Sequence, residues 1–81
     1  MKVKVLFFAQ LRDIFGQDKR ILDLPEAMTI DEALKILFEE SRLKSLASLP
    51  LLYGLNENWA QGDERLQDQD TLALLPPVAG G

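Results

Sequence analysis

The stretch Met28-Thr29-Ile30-Asp31-Glu32-Ala33-Leu34-Lys35-Ile36-Leu37-Phe38-Glu39-Glu40, MTIDEALKILFEE, decides the fold. Thr29 is a good helix N-cap, and Glu32 three residues later completes a capping box. Asp31 and Glu32 favour the positive end of the helix dipole, and Met28 can staple against Ala33. Ile30, Ala33, Leu34, Leu37 and Phe38 then form one apolar stripe, with Asp31, Glu32, Lys35, Glu39 and Glu40 pointing away from it. A helix with one greasy stripe has to cover something, and the flanking segments read as strands.

Upstream, Lys2 through Ala9 is rich in Val and Phe and starts by alternating, with Lys2 and Lys4 on one face and Val3, Val5 and Phe7 on the other. Leu11, Ile14 and Phe15 recur at helical spacing, and Gly16 stands where a short helix needs a left-handed residue. Arg20 to Leu24 alternates again and closes at Pro25, which predicts a second strand antiparallel to the first. Downstream, after a polar, weakly patterned connection from Ser41 to Pro50, the spacing predicts a short strand at Leu51 to Leu55. A turn at Asn56-Glu57-Asn58 and a brief strand around Trp59 follow. A last strand is expected from Thr71 to Leu75. Hairpin, long helix, short strands and final strand make an α+β fold of the β-grasp (ubiquitin-like) type: a mixed sheet on one main helix. The final strand lies centrally, beside the first and parallel to it.

Eighty-one residues, 47% of them hydrophobic and 27% charged, fit one domain, taken as 1–75 with an extended flexible tail at 76–81. Cysteine and histidine are absent, so thiolate metal sites, disulfides and the commonest general base are excluded, and no metal site is expected. A net charge of −4 with scattered Lys and Arg argues against nucleic acid as a partner. The apolar run near Met1 is cut short by Gln10, Arg12 and Asp13, so no leader or membrane span is expected and the reading is cytoplasmic.

Two features point to function. If Val3, Val5 and Phe7 face the core, Leu6 and Phe8 lie on the outer face, and burying Leu72 and Leu74 puts Leu75 there too. Trp59 can join them, making an apolar patch of Leu6, Phe8, Trp59 and Leu75 that reads as a partner interface. The alternatives are that Trp59 folds over the open face, or that the register differs by one and these side chains are core. The second feature is the ending LLPPVAGG, Leu74 to Gly81. Pro76 and Pro77 stop the strand and favour an extended course. Six residues at about 3.3 Å each let Pro76, Pro77, Val78, Ala79, Gly80 and Gly81 project about 20 Å into another protein's groove. Gly80 and Gly81 lack Cβ and pass a narrow channel, and the only reactive group at the end is the carboxylate of Gly81. Adenylated by ATP in another protein's active site, that carboxylate becomes an acyl donor to a sulfur or nitrogen nucleophile.

With VKVLFFAQLRDIFG at Val3 to Gly16, LLPPVAGG at Leu74 to Gly81, and TIDEAL and LNEN between them, the chain resembles the small, sulfur-carrier subunit family of molybdopterin synthase over its whole length. The resemblance implies that an E1-like enzyme uses ATP to adenylate Gly81, which is then converted to a thiocarboxylate. It implies that the tail enters the large synthase subunit and gives its sulfur to cyclic pyranopterin monophosphate to build molybdopterin. It further implies a hetero-oligomer of two small plus two large subunits, in which this chain is a non-catalytic carrier that binds no cofactor of its own. Phe8, Trp59 and Leu75 match the family's docking surface. Asp68-Gln69-Asp70 stands where the family commonly has Asp-Gly-Asp, and Trp59 where a smaller aliphatic residue is common. A carrier for thiamine thiazole synthesis, a ubiquitin-like modifier of lysines, and an adaptor with an inert tail share parts of this pattern.

Overall fold

The alternation at the start of the chain is realised in β1 (Lys2–Phe7), where Val3, Val5 and Phe7 are buried and Lys2 and Lys4 are exposed. The computed structural model describes residues 1–40 and 50–76. After β1 come α1 (Gln10–Phe15), β2 (Lys19–Asp23), α2 (Ile30–Glu40), β3 (Leu52–Leu55), β4 (Asn58–Ala60) and β5 (Thr71–Leu75). The five strands form one sheet in the order β2-β1-β5-β3-β4. β5 is therefore central, parallel to β1 and antiparallel to β3. This is the β-grasp arrangement expected from the sequence.

One face of the sheet is closed. Val3, Val5, Phe7, Leu22, Leu72 and Leu74 from the strands form one core with Ile30, Ala33, Leu34, Leu37 and Phe38 from α2. Phe15 of α1 stacks on Phe7 at 4.3 Å between ring centroids and reaches Phe38 at 6.0 Å. Every residue of the stripe read from the sequence is buried, while Asp31, Glu32, Lys35 and Glu39 are exposed. The α2 start is fixed as the capping box requires. The Glu32 N–H donates to Thr29 Oγ1 at 3.2 Å, and the Thr29 N–H donates to Glu32 Oε1 at 3.0 Å. Two further first-turn donors are met by backbone, Ile30 N–H by Glu64 O and Asp31 N–H by Gly62 O. The Asp31 carboxylate lies against Gly62 where a Cβ would stand, so a larger residue there would make that exposed side chain turn away.

Element ends differ from expectation by a residue or two. β1 stops at Phe7 rather than Ala9, because Ala9 takes φ +52° and turns the chain into α1. The second strand runs one residue earlier, from Lys19, and the third starts at Leu52 rather than Leu51, whose side chain joins the core. The turn at Asn56-Glu57-Asn58 is corrected to two residues: Asn58 already pairs with Leu55 in β4. Asn56 and Glu57 both have positive φ, the primed geometry that matches strand twist. The connection expected from Ser41 onward lies outside the described residues except for Pro50.

Candidate functional site

Among the described residues, no helix packs on the other face of the sheet. Its make-up follows from register, since directly paired residues share a face. One row crosses all five strands: Lys19 pairs with Leu6, Leu6 with Ala73, Ala73 with Gly54, and Gly54 with Trp59. Towards the strand end where β5 begins, the next row holds Ile21, Lys4 and Thr71, and beyond it Asp23 faces Lys2. Towards the end where β5 leaves the sheet stand Leu75 and its pair Leu52. Phe8 joins them, its N–H donating to Leu74 O at 3.3 Å. The face is thus charged at one end and apolar at the other.

The structure puts all four expected interface residues on this face. Trp59 is 73% exposed and Phe8 43%, whereas Leu6 and Leu75 are half-buried. The indole does not fold down over the sheet, and the register is the one that leaves these groups outside the core. Leu6 and Phe8 line a shallow depression of about 560 Å³ whose floor is Gly54 and Ala73 and whose rim includes Asn56, Glu57 and Thr71. Trp59 and Leu75 stand outside it, Trp59 paired with the floor residue Gly54 and Leu75 two positions beyond Ala73 on β5. Sequence reading missed this floor. Gly54 interrupts an otherwise bulky strand, which is the signal that another group approaches closely, and Ala73 alternates with two buried leucines. It also missed Leu52, 42% exposed, and Ile21, 55% exposed.

The polar end is tied together by the turn before β5. The Lys2 N–H donates to the Asp68 carboxylate at 2.6 Å, which holds the Asp68 carboxyl below its ordinary range, with a side-chain bond from Gln69 adding to the effect. Asn56 bridges the β3–β4 turn to β5: its amide donates to Asp70, and its Oδ1 accepts the Thr71 N–H, each at 2.9 Å. The turn therefore anchors β5 at its start, so that the strand delivers the chain to half-buried Pro76 beside the apolar end of the face. Pro77, Val78, Ala79, Gly80 and Gly81 lie outside the described residues. Among the described residues no group of three or more Asp or Glu could hold a metal ion, and no helix is long and apolar enough to cross a membrane.

The comparisons with known proteins agree with this geometry. The ThiS family profile matches residues 5–81. The molybdopterin synthase sulfur carrier subunit of Chlamydomonas reinhardtii is 32% identical over 84 residues, covering 100% of both chains. A Pyrococcus furiosus chain described as subunit 1 of a molybdopterin converting factor superposes with a TM-score of 0.82 at 25% identity, over 96% of this chain and 99% of that one. A chain from the protein-protein complex of subunits 1 and 2 of molybdopterin-converting factor from Helicobacter pylori superposes with a TM-score of 0.70 at 28% identity, over 100% of both chains.

Proposed function

The chain belongs to the ThiS family, and from that premise we propose that it is the sulfur carrier subunit of a molybdopterin synthase, presenting its C-terminal carboxylate as the reactive group. The observation that carries this reading is the placement of β5. The central strand runs beside an uncovered apolar face and hands the chain to Pro76 at the edge of that face. A partner that seats Leu6, Phe8, Trp59 and Leu75 receives the following residues as a projecting arm.

The chemistry follows from the group carried. The Gly81 carboxylate attacks the α-phosphate of ATP in an E1-like enzyme, pyrophosphate leaves, and an acyl-adenylate forms. A sulfur nucleophile displaces AMP and leaves a thiocarboxylate. Gly80 and Gly81 let this group thread a channel in the large subunit, where the sulfur passes to cyclic pyranopterin monophosphate and water supplies the oxygen that restores the carboxylate as the acyl–sulfur bond breaks. Holding the reacting sulfur near its acceptor makes the transfer effectively intramolecular. The chain needs no His or Cys for this, and it has none.

Mass spectrometry of the chain incubated with an activating enzyme, ATP and a sulfur source tests the reading. The expected result is a gain equal to one oxygen exchanged for one sulfur, lost on deletion of Gly80 and Gly81. An isopeptide on a lysine would instead mark a modifier. An unchanged mass, with partner binding indifferent to the deletion, would leave an adaptor.

A further inference from the structure

We propose that, when no other partner covers it, the open sheet face pairs with the same face of a second copy about a two-fold axis running along β5. This goes beyond the carrier reading and uses none of its chemistry. β5 is the middle strand of five, so such an axis lays β1 of one copy over β3 of the other, and β2 over β4.

The face is unlike at its two sides, and the differences are complementary. In the row through Ala73, Leu6 on β1 is set against the second copy's Gly54, a side chain opposite a missing one. Lys19 on β2 is set against the second copy's Trp59, an ammonium over an indole. Towards the apolar end, Phe8 meets the second copy's Leu52, and Leu75 meets Leu75. Towards the polar end, Lys4 meets the turn carrying Asn56 and Glu57, opposite in charge. Small residues at the centre of the row, Ala73 and Gly54, allow two sheets to approach to the usual separation of about 10 Å. Charge selects this axis: a two-fold axis across the strands, through the row of Ala73, would lay Lys4 of β1 on Phe8 of the second copy, burying an ammonium group against an aromatic side chain's hydrocarbon edge.

The pairing is weak and reversible by size. Five strands about 4.8 Å apart and about five residues of about 3.3 Å give a footprint of roughly 400 Å² per copy, half that of a standard stable interface. Because Leu6, Phe8, Trp59 and Leu75 are shared, self-pairing and docking to a larger partner exclude one another. The second copy shields the greasy face of the free chain until a more extensive interface replaces it.

Sedimentation equilibrium of the full chain alone, from about 1 μM to about 1 mM, tests the proposal. The mass is expected to rise from 9.1 kDa toward twice that value. Emission from Trp59, the single tryptophan, should shift to the blue along the same curve. Gly54→Val fills the floor and should weaken pairing by about tenfold or more. A Cβ at Gly54 meets only Ala73 Cβ at 3.6 Å and Asn58 O at 3.9 Å, so the backbone accepts a side chain there, and unchanged circular dichroism of the variant checks that its fold is kept. Lys4→Glu and Glu57→Lys should each weaken pairing, and the double variant should restore it. A monomer at every concentration would overturn the proposal. So would a doubled mass with unmoved Trp59 emission, or pairing indifferent to Gly54→Val. Since no sulfur source or second protein is present, failure here leaves the carrier reading standing.

Discussion

Gln69 sits at φ +71°, where its N–H reaches Lys2 O at 2.7 Å and closes the turn that anchors β5. The left-handed region suits glycine, and a residue with a Cβ is strained there. Gln69→Gly should therefore stabilise the protein, by about 0.5 kcal/mol once the greater freedom of the unfolded chain is offset against a relief of about 1 kcal/mol. Urea unfolding at equal slope measures it, and a lower midpoint in the variant would show that the Gln69 side chain contributes more than its backbone costs. The sequence announces this position through the Asp68-Gln69-Asp70 turn, as it announces Gly16 at φ +70°. It does not announce Ala9, Ala27 or Glu57, which also have positive φ. Alanine and glutamate carry no local preference for that region. Tertiary pairing on either side imposes it.

The helix α2 was legible from its cap to its stripe because both signals are local: the capping box spans four residues, Thr29 to Glu32, and the stripe repeats every turn. Its electrostatics follow from the same contacts. The Thr29 backbone N–H, and secondarily its hydroxyl, hold the Glu32 carboxyl below its ordinary value of 4.5. The Lys2 N–H does the same most strongly for Asp68, whose ordinary value is 3.8. Both groups bind protons less readily folded than unfolded. Their contribution is therefore present above those ordinary values and is lost as pH falls through the lower folded ones. A Glu32→Gln/Asp68→Asn double variant keeps acceptors at both places but cannot titrate them. Its stability should decline less steeply than that of the parent between about pH 5 and about pH 2. Urea midpoints at a series of pH values give the two curves, and parallel curves would show that other groups control the acid limb. The strands were legible in type but not in their ends, since these depend on which partner strand is present to continue the ladder.

At the scale of the whole molecule, the apolar patch could be read from alternation alone, because Leu6, Phe8 and Leu75 fall on the wrong side of strands whose other residues are core. The depression could not, because its floor brings together Gly54 and Ala73, nineteen positions apart, and only the β3–β5 register makes them neighbours. That alternation also separates two faces: Leu72 and Leu74 are buried in the core, while Ala73 and Leu75 lie half-buried on the opposite face. Phe8 tests the separation. It is 43% exposed on the face opposite the core, so a charge there is solvated in the free chain and costs the fold little. If a large synthase subunit docks on this face as proposed, the same carboxylate loses its water on binding. Phe8→Asp should therefore keep the circular dichroism and melting of the parent, yet lose at least about 2 kcal/mol of affinity for the large subunit, roughly thirtyfold. Calorimetric titration measures this directly. An unchanged affinity would mean that the partner is gripped through the tail alone and that the open face of the sheet has another use.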